Sequence, residues 1–212
     1  MIVEEIVEKI FHVQTPTQNE LGRIFLRPQE YYESPEFKNK IFSLDKYIEW
    51  YAKNTDEGRK NGFNYYDFWE AFNIPSYVLN PFYEGKFTLL TPEEKSLLTA
   101  FEGVNHDKFY IIGTYGDDAL LEESIYHELS HGLFYSNPEY KGEILEAYKT
   151  KVDEKIKTKV LGWIQNTGGY HPDVQDRAGR RLHHSRDARE HHDHAARRGR
   201  GADDLQECPG HQ

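Results

Sequence analysis

Apolar and polar positions alternate with clear periods along the first 160 residues of this chain, and each period predicts an element. Ile2, Ile6 and Ile10 recur every four residues, which favours an amphipathic helix over residues 1–13, with a strand as the alternative. Thr15 to Asn19 reads as a turn. Leu21 to Leu26 is a short apolar segment, and the run from Arg27 to Pro35 is aromatic, charged and bounded by helix-breaking prolines. Ser43 is placed to cap a helix reaching Lys53, with Tyr47, Trp50 and Tyr51 as its aromatic stripe. Residues 54–64 read as a polar loop. The aromatic run from Tyr65 to Phe72 is expected to fill a core, with the lining of a substrate groove as the alternative.

The second half is punctuated more sharply. Thr91, Pro92 and Glu94 spell an N-cap, a first helical position and a capping-box partner for a helix ending near Phe101. Lys108 to Tyr115 is β-branched and aromatic, the best strand in the chain. Gly116-Asp117-Asp118 turns it into a helix over about residues 120–136. Asn137 and Pro138 open another helix, expected to run to Lys159 with Tyr140, Ile144, Leu145, Tyr148, Val152 and Ile156 buried. Gly162 to Gly169 interrupts that pattern. The elements together predict an α+β fold, mostly helical with a small sheet.

Composition then divides the chain. All lysines lie at or before Lys159, and no Phe, Trp, Tyr, Ile or Met follows Tyr170. Residues 171–212 are rich in Arg and His, including His183-His184 and His191-His192-Asp193-His194, with almost nothing to bury. Such a segment is expected to stay disordered, because burial does not offset the entropy of ordering it. The abrupt switch is also what a change of reading frame produces, which would make this tail non-native. A domain over residues 1–170 followed by that tail is the expected organisation.

The net charge of −10 argues against a general nucleic-acid partner. Nothing in the sequence reads as a signal peptide or a membrane span, and the lone Cys208 leaves no intrachain disulfide. A cytoplasmic location is the expectation.

The candidate chemistry sits in the helix over residues 120–136, as His127-Glu128-Leu129-Ser130-His131. Residues four apart lie one turn above each other, so two imidazoles face one metal ion. Glu128 falls about 100° round the helix from His127, beside the metal, where it could take a proton from a metal-activated water. Ser124 and Tyr135 share the histidine face, while Ile125, Leu129 and Leu133 form an apolar back.

Over this short stretch the chain resembles the zincin superfamily of zinc metallopeptidases. The resemblance implies Zn²⁺ held by His127 and His131, Glu128 as general base, and a peptide or protein as substrate. Phe134 and Asn137 stand where the metzincin branch has a glycine and a third histidine, so that branch is excluded. The remaining pattern is similar to gluzincins, which take a third ligand from a glutamate on a later helix. Glu139, Glu143 and Glu146 follow at helical spacing, with the connector Tyr170-His171-Pro172-Asp173 as another source. A ligand lost with the tail would leave the site impaired. Tyr135, Tyr170 and His171 are candidates for stabilising an oxyanion. Two alternatives remain: an inactive or truncated zincin-fold chain acting as a partner-binding module, and a structural protein whose motif is accidental.

Overall fold

A computed structural model describes residues 1–104, 108–116 and 119–167, with the side chains of 119–124 and 163–167 outside the description. The expectations for the tail, for Tyr170 and His171, and for the His-rich tract therefore lie outside the described residues. The fold is α+β. By internal contacts the chain divides into two units, Met1–Ala147 and Tyr148–Gln212.

The first unit opens with a hairpin, β1 (Ile2–Val7) and β2 (Ile10–Thr15), and not with the helix that the isoleucine spacing favours. A spacing of four suits one face of a strand as well as one face of a helix, so periodicity alone left the choice open. The sheet decides it. β2 pairs antiparallel with β1 and parallel with a later strand, so its backbone groups find partners on both edges. Lys9 makes the turn at a φ of 66°, with its N–H donating to the Glu5 carboxylate at 2.7 Å.

α1 (Gln18–Glu33) is one continuous helix that carries Pro28 inside it, where the prolines predict a break. Thr17 caps it, accepting from the Glu20 N–H at 3.2 Å. An internal proline costs a helix about 3 kcal/mol. Here Leu21, Ile24, Phe25, Leu26 and Pro28 itself are all buried, and each large apolar side chain so buried returns about 1.5–3 kcal/mol. Packing therefore outweighs the break.

α2 (Leu44–Asn54) starts at Ser43 as the pattern predicts, with the Ser43 hydroxyl accepting from Lys46 N–H. The expected polar loop after it contains α3 (Asp56–Asn61), capped by Thr55 accepting from Gly58 N–H at 2.8 Å. Its Asp56-Glu57 start and Arg59-Lys60 end complement the helix dipole. Five polar residues and a glycine carry no apolar stripe, so the helix has no period to read. β3 (Ala71–Pro75) and the single turn α4 (Asn80–Tyr83) follow. α5 (Pro92–Phe101) has the capping box in full: Thr91 and Glu94 each accept from the other's backbone N–H.

β4 (Tyr110–Tyr115) completes a sheet ordered β1-β2-β4-β3, with β3 antiparallel to β4. The sheet has helices on both faces. On one, Val13, Phe72, Ile74 and Ile111 join α1 and the aromatic residues of the intervening segments in the main core. Phe37, Phe42, Tyr47, Tyr65 and Phe87 are buried there. Of the run expected to fill a core, Tyr65 and Phe72 do so and Tyr66 is half-buried, whereas Phe68 and Trp69, like Tyr77 after it, are exposed. On the other face Ile10, Tyr110 and Ile112 meet α6 (Ala119–Ser136), the helix of the His-Glu motif.

The single helix expected from Pro138 to Lys159 is two, α7 (Pro138–Lys151) and α8 (Glu154–Thr167). Asn137 caps the first, accepting from the Glu139 and Tyr140 N–H groups at 3.0 Å. Asp153 caps the second, accepting from Lys155 N–H at 2.8 Å. A polar cap residue in mid-pattern is a start signal that apolar spacing does not register. The expected stripe is only half-buried at Tyr140, Ile144, Leu145, Tyr148 and Val152, and Ile156 is exposed. α8 also continues through Gly162 to Thr167, beyond the break expected there.

Among the described residues no helix is long and apolar enough to cross a membrane.

Candidate metal centre

The apolar back of α6 anchors the motif. Ile125, Leu129 and Leu133 pack against Ile10, Tyr110 and Ile112 of the sheet, as the helical wheel predicts. Gly132 permits this approach, since a Cβ there would stand 3.0 Å from the Ile10 side chain. With the helix seated, His127 and His131 are half-buried and their ring centroids lie 5.5 Å apart.

Glu128 turns toward the sheet and is only 7% exposed. Its Oε2 accepts from the Asn73 amide Nδ2 at 2.5 Å. The Tyr110 hydroxyl in turn donates to Asn73 Oδ1. Three elements, β3, β4 and α6, thus converge on one carboxylate. Burial is the main cause that pushes the Glu128 carboxyl up to about 8, the charge of Glu33 at the end of α1 adds to it, and the Asn73 hydrogen bond opposes it.

The donor atoms of His127, Glu128 and His131 all lie within 4.8 Å of one another. The two imidazoles match a donor type that zinc prefers, and the Glu128 carboxylate stands beside them. The residues fit a metal ion.

The other sequence candidates fall differently. Glu139, Glu143 and Glu146 are exposed, and among the described residues the metal-capable group does not include them. The Tyr135 ring packs 5.4 Å from the Tyr110 ring. Burial pushes its phenol up, opposed by a hydrogen bond with the Ser76 side chain.

Sequence reasoning missed Asn73, Tyr110 and Glu33. Asn73 did carry a signal: it is the polar residue between Phe72 and Ile74, whose side chains enter the main core, so period two turns Asn73 to the α6 face. Tyr110 and Glu33 carried none, being one aromatic and one acid among many.

Comparisons of the chain with family models, with curated proteins and with solved structures found no significant match.

Proposed function

We propose that this chain is a zinc-dependent peptidase of the zincin type, with His127 and His131 as metal ligands and Glu128 as general base. The observation that carries the proposal is the division of labour on one helix. Two half-exposed imidazoles lie beside a carboxylate that is buried and held by a neutral amide.

Zinc, when bound, supplies a Lewis acid that polarises a carbonyl and lowers the pKa of a water to about 7. His127 and His131 hold the ion from successive turns of α6. Glu128 accepts the proton of the attacking water and delivers it to the leaving amine. Its Oε2 is engaged by Asn73, so we assign this transfer to Oε1. The apolar packing of Ile125, Leu129 and Leu133 keeps the three side chains in register. β3, which bears Asn73, lies at an end of the sheet, so its outer edge offers backbone groups to an extended peptide.

One observation favours the alternative reading, a non-catalytic partner-binding module: among the described residues no further His, Cys, Asp or Glu joins the two imidazoles and Glu128. Glu128→Gln separates the two. Purified protein is assayed for zinc by elemental analysis and for hydrolysis of a mixed peptide substrate. A peptidase retains its zinc in Glu128→Gln and loses at least ~100-fold in rate, the contribution of a positioned general base. Undiminished hydrolysis in the variant removes Glu128 as base. Loss of zinc in the variant makes Glu128 a ligand instead. Wild-type protein without zinc, its melting unaffected by chelator, ends the metallopeptidase reading.

A further inference from the structure

We infer that Asn73 is the positioning residue for Glu128, oriented by the Tyr110 hydroxyl, and that this pair of uncharged groups fixes which carboxylate oxygen faces the metal-ligating histidines. The inference rests on the reading of Glu128 as general base.

Asn73 reaches the site because of strand alternation. Phe72 and Ile74 enter the core shared with α1, which leaves the side chain between them on the α6 face. Register then sets its partner. Pro75 lies opposite Tyr110, and Asn73, opposite Ile112, is the diagonal neighbour of Tyr110 on the same face. Tyr110 is 1% exposed, with Tyr135 against its ring, so its hydroxyl has little freedom. It donates to Asn73 Oδ1, and this fixes the amide. A flipped amide would set Oδ1 against the ionised Glu128 carboxylate, the form that acts as base, with two acceptors facing each other. The orientation in place presents Nδ2 to Oε2 at 2.5 Å.

The uncharged donor matters. A lysine or arginine at this position would orient the carboxylate equally well but would set a cation beside the metal. It would also weaken the carboxylate as a proton acceptor. An amide locked by a phenol supplies direction without charge. Outer partners of this kind act through the group they hold, so their removal is expected to lower turnover without releasing metal or substrate.

The test uses Asn73→Leu, close in volume and without a donor, and Tyr110→Phe, which removes only the hydroxyl. In Asn73→Leu, kcat is expected to fall about 10–100-fold, the usual effect of losing an outer-shell partner, with KM and zinc stoichiometry unchanged. Tyr110→Phe is expected to lower kcat in the same direction by less. A second readout needs no turnover. The carboxyl infrared band of Glu128, assigned in metal-free protein by difference against Glu128→Gln, should shift in both variants. Wild-type kcat in a folded, zinc-replete Asn73→Leu overturns the inference, as does an unshifted band. Where Asn73→Leu does not fold, Tyr110→Phe decides by the same two measurements. A wild-type chain that binds zinc but hydrolyses nothing refutes the peptidase reading, while the band still reports whether Asn73 holds Glu128.

Discussion

Arg27 and Glu94 make the sharpest stability prediction in the molecule. The guanidinium is 1% exposed and the carboxylate 3%. Arg27 Nε donates to Glu94 Oε1 at 2.6 Å, and its second nitrogen to Oε2. The same guanidinium donates to the Thr88 and Leu89 carbonyls at 3.1 and 3.4 Å. Glu94 in addition accepts from Thr91 N–H to close the cap of α5. One pair therefore ties α1 to α5 and to the segment before it. Arg27→Met leaves a buried carboxylate without its cation and two carbonyls without a donor. Breaking a buried pair from one side costs about 3–5 kcal/mol, a large part of the 5–15 kcal/mol that typically holds a domain folded. Glu94→Leu should cost a similar amount and lose the cap, itself worth about 1 kcal/mol. The double variant should cost only about 1–3 kcal/mol, because two apolar side chains leave no charge stranded. Urea unfolding measures all three, as shifts in midpoint at constant slope. A double variant whose loss equals the sum of the singles refutes the reasoning. So does an Arg27→Met loss below about 1 kcal/mol, the range of an exposed pair.

The remaining predictions concern the site, a buried histidine and a close backbone approach. Zinc at a hundred times its dissociation constant should add about 2.7 kcal/mol, which for a domain of this size raises Tm by roughly 5–10 °C. Scanning fluorimetry should show that rise reversed by chelator and absent in His131→Ala. His12 is buried on the sheet, with Nε2 2.7 Å from the Thr114 hydroxyl. Burial holds its pKa below the ordinary 6.5, opposed by Glu4. As pH falls below 6.5 the unfolded chain takes up a proton that the folded chain refuses, so stability drops until the folded-state pKa is passed. His12→Gln should lack that component of the pH dependence, and identical profiles by urea titration would disprove the assignment. At Gly22 an added Cβ would lie 2.6 Å from the Tyr66 Cα. Gly22→Ala should therefore cost about 1–3 kcal/mol by overpacking, seen as a lowered urea midpoint.

Local rules set much of this chain. Ser43, Thr91 with Glu94, and Asn137 start helices where the sequence placed those starts, because a capping side chain needs only its own next three residues. β4 and the motif helix were legible for a similar reason: both have strong composition and a clear period. His127 and His131 share a face of α6, and Leu129 lies on its buried back, by helical geometry alone. What spacing left open, tertiary structure decided. Ile2 and Ile6 belong to a strand because β2 and β4 build a sheet for β1 to join. α1 runs through Pro28 because the core it enters repays the lost bond. Asn73 and Tyr110 meet Glu128 across 55 residues in one step and 37 in the other. The sequence by itself determined the two histidines, the glutamate and the helix that carries them. Only the packing of that helix on the sheet decided that the glutamate is buried, its basicity raised and one of its oxygens engaged, because those properties come from neighbours that chain distance does not reveal.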